Sequence, residues 1–176
     1  MKPTKEEIQE LARKTLNDHG LLSIPVNPVV LANRLGIKVL RAIFNEPRFS
    51  GMTARRVGGE THILVNDNDS LWRKRFTVAH EIAHSILHLQ DAPEQIVDSD
   101  LDFFRSTETW SDNWTDERRR EYEANAFAAE LLMPRSLVQE IWSKLPKAQR
   151  TISTMARLFQ VSEDAMGIRL DELGLS

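Results

Sequence analysis

Apolar residues recur at helical spacing in the segment 71–90, which contains neither glycine nor proline. Ser70 precedes this segment and is a residue type that caps helix N-termini. Apolar positions at every third or fourth residue are typical of a helix that packs one side against a core. The pattern therefore predicts a helix over 71–90 with a broad buried face, formed by Leu71, Trp72, Phe76, Ala79, Ile82, Ala83, Ile86 and Leu87.

A second helical pattern covers residues 121–134 and ends at a proline. Its apolar positions are so numerous that we expect most of the helix surface to be buried. Charged residues on a buried helix need a partner or a function. The apolar positions are Tyr122, Ala124, Ala126, Phe127, Ala128, Ala129, Leu131, Leu132 and Met133.

The N-terminal segment predicts two further helices. Thr4 and Glu7 have the spacing of a capping box for a first helix that ends at Gly20. Asn27 caps a second helix, which ends at Gly36.

Strand patterns follow at 37–43, 49–57 and 61–65, and the last two flank Gly58-Gly59 as a hairpin. Segments 151–159 and 163–173 are helical again. The fold class predicted is α+β, a small sheet packed on the helix over 71–90, with additional N- and C-terminal helices. We expect one domain over 1–143, including an acidic loop over 91–116, and a C-terminal helical extension over 144–176 packed on it.

Composition narrows the class of protein. With 176 residues, of which 41% are hydrophobic and 28% charged, the chain is long enough to bury one core. A net charge of −3 gives no general attraction to nucleic acid or anionic membranes. The chain has no cysteine, which excludes disulfides and cysteine-ligated metal sites. It shows no apolar signal core and no run of membrane-spanning length, so the prediction is a cytoplasmic protein without a membrane partner.

The helix predicted over 71–90 carries the pattern H-E-x-x-H at residues 80–84. His80 and His84 lie one turn apart on the same face, so both imidazoles can reach one metal ion. Glu81 lies about 100° round the helix, where it can act as a base beside the open metal position. This geometry predicts a zinc hydrolase site that needs a third ligand. His88 is roughly 12 Å from His80 along the helix, too far to share the ion.

Glu121, on the helix predicted over 121–134, is the candidate third ligand. Asn125 follows it by four residues on the same face, where its amide can accept the free N–H of a ligand histidine. Glu123 is rotated about 200° from Glu121 and is the alternative metal ligand, in which case Glu121 is a solvated charge. We expect one Zn²⁺ per chain, although iron, cobalt or manganese suit the same ligands.

Long blocks around these residues resemble the ImmA/IrrE family of metallopeptidases. The blocks are R-F-T-V-A-H-E-I-A-H-S-I-L-H at 75–88 and E-Y-E-A-N-A-F-A-A-E-L-L-M-P at 121–134. The resemblance implies a minimal zincin-like domain in which His80, His84 and Glu121 bind zinc. It also implies the substrate, because proteins similar to this one cleave a partner helix-turn-helix repressor and so release transcription.

The reaction expected is metal-assisted peptide hydrolysis, with Glu81 accepting a proton from water and passing it to the leaving amine. Tyr122 and His88 are possible donors to the oxyanion.

The alternative function is a non-proteolytic, metal-containing regulatory module that acts by protein or DNA binding. Segments 151–159 and 163–173 have helix-turn-helix spacing, but residues 144–176 hold five basic and four acidic side chains. Direct DNA binding is therefore not expected.

The segment 91–116 holds eight acidic residues against one basic residue. It is either a solvated loop or a flap that folds over a cleft, and the aromatic residues interleaved with the charges suit the flap.

A substrate peptide is expected to pair with an exposed edge of the small sheet.

Overall fold

The computed structural model describes residues 3–45, 49–55, 60–89, 96–100 and 114–175, and for 96–100 it gives the strand and its pairing alone. The described chain is α+β, as predicted. A 3-10 turn, Lys147–Gln149, lies in the C-terminal part. The helices and strands in chain order are α1 (Lys5–Asp18), α2 (Pro28–Arg34), β1 (Lys38–Ala42), β2 (Phe49–Arg55), β3 (Thr61–Asn66), α3 (Leu71–Leu87), β4 (Ile96–Asp100), α4 (Asp116–Leu132), α5 (Arg135–Lys144), α6 (Ile152–Phe159) and α7 (Glu163–Glu172).

Short polar side chains start the helices where the sequence places them. Thr4 and Glu7 form the reciprocal capping box of α1. Asn27 accepts hydrogen bonds from the first N–H groups of α2, and Ser70 accepts one at the start of α3. α3 ends at Leu87, and His88 is its C-cap.

α4 begins five residues earlier than the predicted helix over 121–134. Thr115 caps it, and Asp116 and Glu117 lie in its first turn. It ends at Leu132, ahead of Pro134, whose ring cannot continue the helix.

The sheet has the order β1-β3-β2-β4. β1 and β3 are parallel, whereas β2 pairs antiparallel with both β3 and β4. The predicted strands are thereby confirmed, and the hairpin turn at 56–59 lies outside the described residues.

The prediction of one acidic loop over 91–116 was wrong in two places. Residues 96–100 form β4 on the edge of β2, and residue 116 is the first residue of α4. Ile96 and Val97 are β-branched and favour strands. The prediction of a loop rested on the many acidic residues of the segment and did not take these two into account. The other residues of the segment up to 113 lie outside the described part, and with them the choice between loop and flap.

β2 lies directly on α3 because Gly51 has no side chain. A Cβ atom at this position would come within 2.4 Å of Thr77 Cγ2 on α3 and 2.7 Å of the Leu64 carbonyl oxygen on β3. Both distances are far below van der Waals contact, so only glycine allows this approach. The close packing brings the β2 side chains against the metal-motif helix.

The C-terminal helices share the core of the rest of the chain. Phe159 and Leu170 belong to the same buried apolar cluster as Ile8 and Ile82. Arg169 on α7 is buried, pairs with the buried Glu130 of α4, and donates from Nε to the Met133 carbonyl at 3.0 Å. The division into 1–143 and 144–176 stays a prediction.

Within the described residues, every helix is too short or too polar to cross a bilayer.

Replacing Gly51 with alanine should lower the free energy of unfolding by about 1–3 kcal/mol, because the new methyl group meets a backbone carbonyl that has little room to move. Gly167→Ala is the matched control. Its Cβ would lie 3.5 Å from Ile152 Cδ1, an ordinary contact, so helix propensity should raise the stability by about 0.5–1 kcal/mol. Urea unfolding of both variants measures the difference. Equal stability of the two variants would contradict the close packing of β2 on α3.

Glu172 should make the stability depend on pH in the acid range. Burial alone would raise its pKa, but the hydrogen bond from Lys5 and the charge and hydrogen bond of Arg169 outweigh burial and lower the pKa to about 2. A carboxylate whose pKa is lowered on folding stabilises the protein above its unfolded pKa, and this contribution is lost as the pH falls towards 2.

Glu172→Gln should therefore cost roughly 1–3 kcal/mol at pH 7 and about half of that or less at pH 3, as measured by urea unfolding at both values. Glu140→Gln removes the partner of Lys144 in a more exposed ion pair and serves as the control. Its cost should be small at both values. An equal cost of Glu172→Gln at both pH values would refute the assignment.

Candidate metal centre

Helices α3 and α4 bring three potential metal ligands together. The Nε2 atoms of His80 and His84 on α3 are 2.9 Å apart. Glu121 on α4 places Oε2 3.1 Å from His80 Nε2 and Oε1 3.1 Å from His84 Nε2. The donor atoms of all three residues lie within 4.8 Å of one another, so the group could hold a metal ion.

The donor set fits a small divalent cation. Ligand atoms at about 2.0–2.1 Å from a tetrahedral zinc are roughly 3.3 Å apart, close to the separations of 2.9–3.1 Å seen here. Glu121 Oε2 is buried, and it lies 3.1 Å from His80 Nε2. A buried carboxylate oxygen of this kind is a suitable ligand for a cation.

Burial and the neighbouring charges set the protonation of the ligands. Burial, with a smaller effect of the neighbouring His80 and His88, lowers the pKa of His84 to about 4, although the hydrogen bond and charge of Glu121 oppose this. Burial alone would raise the pKa of Glu121, but the two imidazoles outweigh burial and lower the pKa to about 2. At neutral pH His84 is therefore neutral and Glu121 ionised, the forms that bind metal.

Asn125 lies behind His80. Its Oδ1 atom is 2.9 Å from His80 Nδ1, and because an amide oxygen can only accept, Nδ1 is the donor. The His80 tautomer with a proton on Nδ1 leaves Nε2 available to a metal. The sequence placed Asn125 here from its spacing of four residues after Glu121.

Glu123, the alternative ligand, does not join the group. Its Oε2 atom is 3.0 Å from Nε2 of His88, on the far side of His84 from Glu121. The structure therefore brings Glu121 to the two imidazoles, in keeping with the rotation of about 200° between the two glutamates. Both ring nitrogens of His88 face other side chains, His84 and Glu123, which leaves it unsuited to the role of oxyanion donor.

Glu81 is fully buried beside the ligands and contacts β2. Thr53 Oγ1 donates to Glu81 Oε2 at 2.6 Å and lies 3.2 Å from the Glu81 carbonyl oxygen. A hydrogen bond to a carboxylate at this distance is strong and fixes the orientation of the group. Sequence reasoning missed Thr53, because a threonine in a strand 28 residues away carries no signal that it faces the motif.

Three comparisons with known proteins bear on the fold. A peptidase family model, described as the IrrE N-terminal-like domain, matches residues 32–171. A search of curated proteins found no match.

The solved structure of a Mycobacterium tuberculosis transcriptional regulator aligns with 94% of this chain at 16% identity and a TM-score of 0.62. The alignment covers 46% of that regulator, so this chain spans about half its length. At this identity the likeness shows a shared fold.

Glu121→Gln should weaken zinc binding at least about 100-fold, because the change removes the anionic ligand. Zinc should raise the melting temperature of the unsubstituted protein and leave that of the variant unchanged. Chelator competition and thermal unfolding measure the two effects. Glu117→Gln, an exposed change in the first turn of α4, is the control and should bind like the unsubstituted protein. Undiminished zinc binding by Glu121→Gln would refute the assigned ligand set.

Proposed function

Since the chain belongs to the family of IrrE N-terminal-like domains, a peptidase family, we propose that it is a zinc-dependent endopeptidase that cleaves a partner protein. The observation that supports this most is the buried group of His80, His84 and Glu121, with the buried Glu81 between the two histidines in the sequence of α3. Two imidazoles and a carboxylate are the ligand set of zinc peptidases that keep one coordination position for water or substrate.

A zinc ion bound by these three side chains would supply Lewis-acid chemistry to a peptide carbonyl and acidify water. Glu81 is the general base that accepts a proton from the attacking water. It then passes the proton to the nitrogen of the leaving amine. Thr53, through its 2.6 Å hydrogen bond to Oε2, holds the Glu81 carboxylate in a single orientation during both transfers. Asn125 orients His80.

The proposed substrate is a helix-turn-helix transcriptional repressor, whose cleavage would release transcription in the cytoplasm. Two observations support a role in regulation. The ImmA/IrrE resemblance implies cleavage of such a partner, and the structural neighbour is a transcriptional regulator. A peptidase built for one partner should be slow on generic peptides, because partner contacts would supply much of its specificity.

Direct DNA binding through α6 and α7 is the less favoured alternative. Residues 160–162 join the two helices, and Gln160 has a left-handed backbone. Phe159 on α6 and Met166 on α7 are both buried, so one side of each helix packs into the core. The Arg169 guanidinium bonds to Glu130 and Glu172 and is therefore not available to phosphate.

Glu81→Gln should abolish cleavage while leaving zinc binding intact, because the amide keeps the shape of the side chain but cannot accept the proton. The test co-expresses the chain with a helix-turn-helix repressor of the same organism and follows the intact repressor by immunoblot. Loss of repressor with the unsubstituted chain and with Glu117→Gln, but not with Glu81→Gln, supports proteolysis. N-terminal sequencing of the fragment identifies the cleaved bond.

The non-proteolytic alternative predicts different results. A regulatory module would relieve repression with the repressor intact, and Glu81→Gln would act like the unsubstituted chain. A DNA-binding module would shift duplex DNA in a strongly salt-dependent manner and would lose this on Arg157→Gln.

A further inference from the structure

His88 and Glu123 form a buried pair behind the ligand His84, and the proposed mechanism gives neither of them a role. His88 Nδ1 is 3.0 Å from His84 Nδ1, and His88 Nε2 is 3.0 Å from Glu123 Oε2. The side chains are 6% and 8% exposed, respectively. A polar pair this deeply buried needs matched donors and acceptors.

Glu123, His88 and His84 are linked by two hydrogen bonds, and only one placement of their protons allows a metal to bind His84. A carboxylate only accepts, so the proton between Glu123 and His88 is carried by His88 Nε2. In a neutral His88 the Nδ1 atom then has no proton and accepts. The single proton between the two Nδ1 atoms must therefore come from His84. His84 with its proton on Nδ1 has a lone pair on Nε2, the atom that faces Glu121 and His80.

We propose that His88 and Glu123 are positioning residues that fix the tautomer and ring orientation of His84 for metal binding. This inference rests on the proposed metal site. Asn125 orients His80 by accepting the hydrogen bond from its Nδ1 atom. For His84 the acceptor is His88, which Glu123 orients in turn. The backbone holds the pair in register as well, because the His88 N–H donates to the His84 carbonyl oxygen at 2.9 Å.

The experiment measures the zinc dissociation constant of the full chain by competition with a chelator. His88→Phe keeps a ring but removes both hydrogen bonds, and we expect zinc binding to weaken by about 10–100-fold. Glu123→Gln keeps a hydrogen bond but no longer selects the His88 tautomer, because an amide can present either an acceptor or a donor. We expect about 10-fold weaker binding, the lower end of that range.

His88→Gln is the rescue variant. Its side-chain carbonyl oxygen can accept from His84 Nδ1, as the amide of Asn125 does for His80, and its NH₂ group can donate to Glu123. We expect it to recover most of the affinity that His88→Phe loses. A residue with a purely structural role would be replaced equally well by methionine, which has the shape of glutamine but lacks its amide, so His88→Met should not recover the affinity.

His62→Phe is the matched control. His62 also lies near a glutamate, with Nε2 3.9 Å from Glu60 Oε2, but in strand β3 and outside the ligand group. It should leave the zinc affinity unchanged. Urea unfolding of each metal-free variant separates loss of metal affinity from loss of stability, and a His88→Phe variant that fails to fold leaves Glu123→Gln and His88→Gln to decide.

Nitrogen-15 spectra of the zinc-loaded protein give a second readout. The proposal requires His88 to be neutral with its proton on Nε2, and a His88 protonated on Nδ1 overturns it. Equal zinc affinity of Glu123→Gln, His88→Phe and the unsubstituted chain also overturns it, while the proposed metal site survives. An unsubstituted chain without affinity for zinc overturns the proposed function itself.

Discussion

The contact between α3 and α4 is the constraint on which the rest of the structure depends, because it buries ionisable side chains that need partners. His80, Glu81 and His84 are completely buried on α3. Removing such groups from water is costly unless each polar atom is matched. The partners come from three places: Asn125 and Glu121 on α4, Thr53 on β2, and His88 at the end of α3 itself. The pairings of His80 with Asn125 and of His84 with Glu121 also set the register of the two helices.

Features far from the site keep these partners in place. Gly51 lets β2 approach α3 closely enough for Thr53 to reach Glu81. Arg55, at the end of the same strand, donates to the Leu89 carbonyl at 2.6 Å, just beyond the end of α3. At the other end of α4, the buried ion pair between Glu130 and Arg169 attaches the C-terminal helix α7. The C-terminal helices thus hold α4, and with it Glu121, in position against α3.

The sequence predicted the parts of this site that depend on short-range geometry. The helical repeat put His80 and His84 on one face, and the angle between positions two residues apart separated Glu121 from Glu123. Capping residues located the starts of α1, α2 and α3 for the same reason, since a cap acts within one turn. What it did not predict depends on contacts between distant segments, such as Thr53 with Glu81 and His88 with Glu123. Strand β4 was missed because local charge was weighed above two β-branched residues.

The charges in the site argue for a cation as part of the folded state. Glu121 and Glu123 are buried carboxylates, and both contact imidazoles. An imidazole that binds a metal is neutral, so it cannot balance these charges. In the metal-free chain, the hydrogen-bonding and charge interactions with His80 and His84 are what lower the pKa of Glu121. A divalent cation would supply positive charge at the centre of the ligand group without a second proton on either imidazole. Metal binding and the packing of α3 on α4 therefore depend on the same contacts, and the free energy of one contributes to the other.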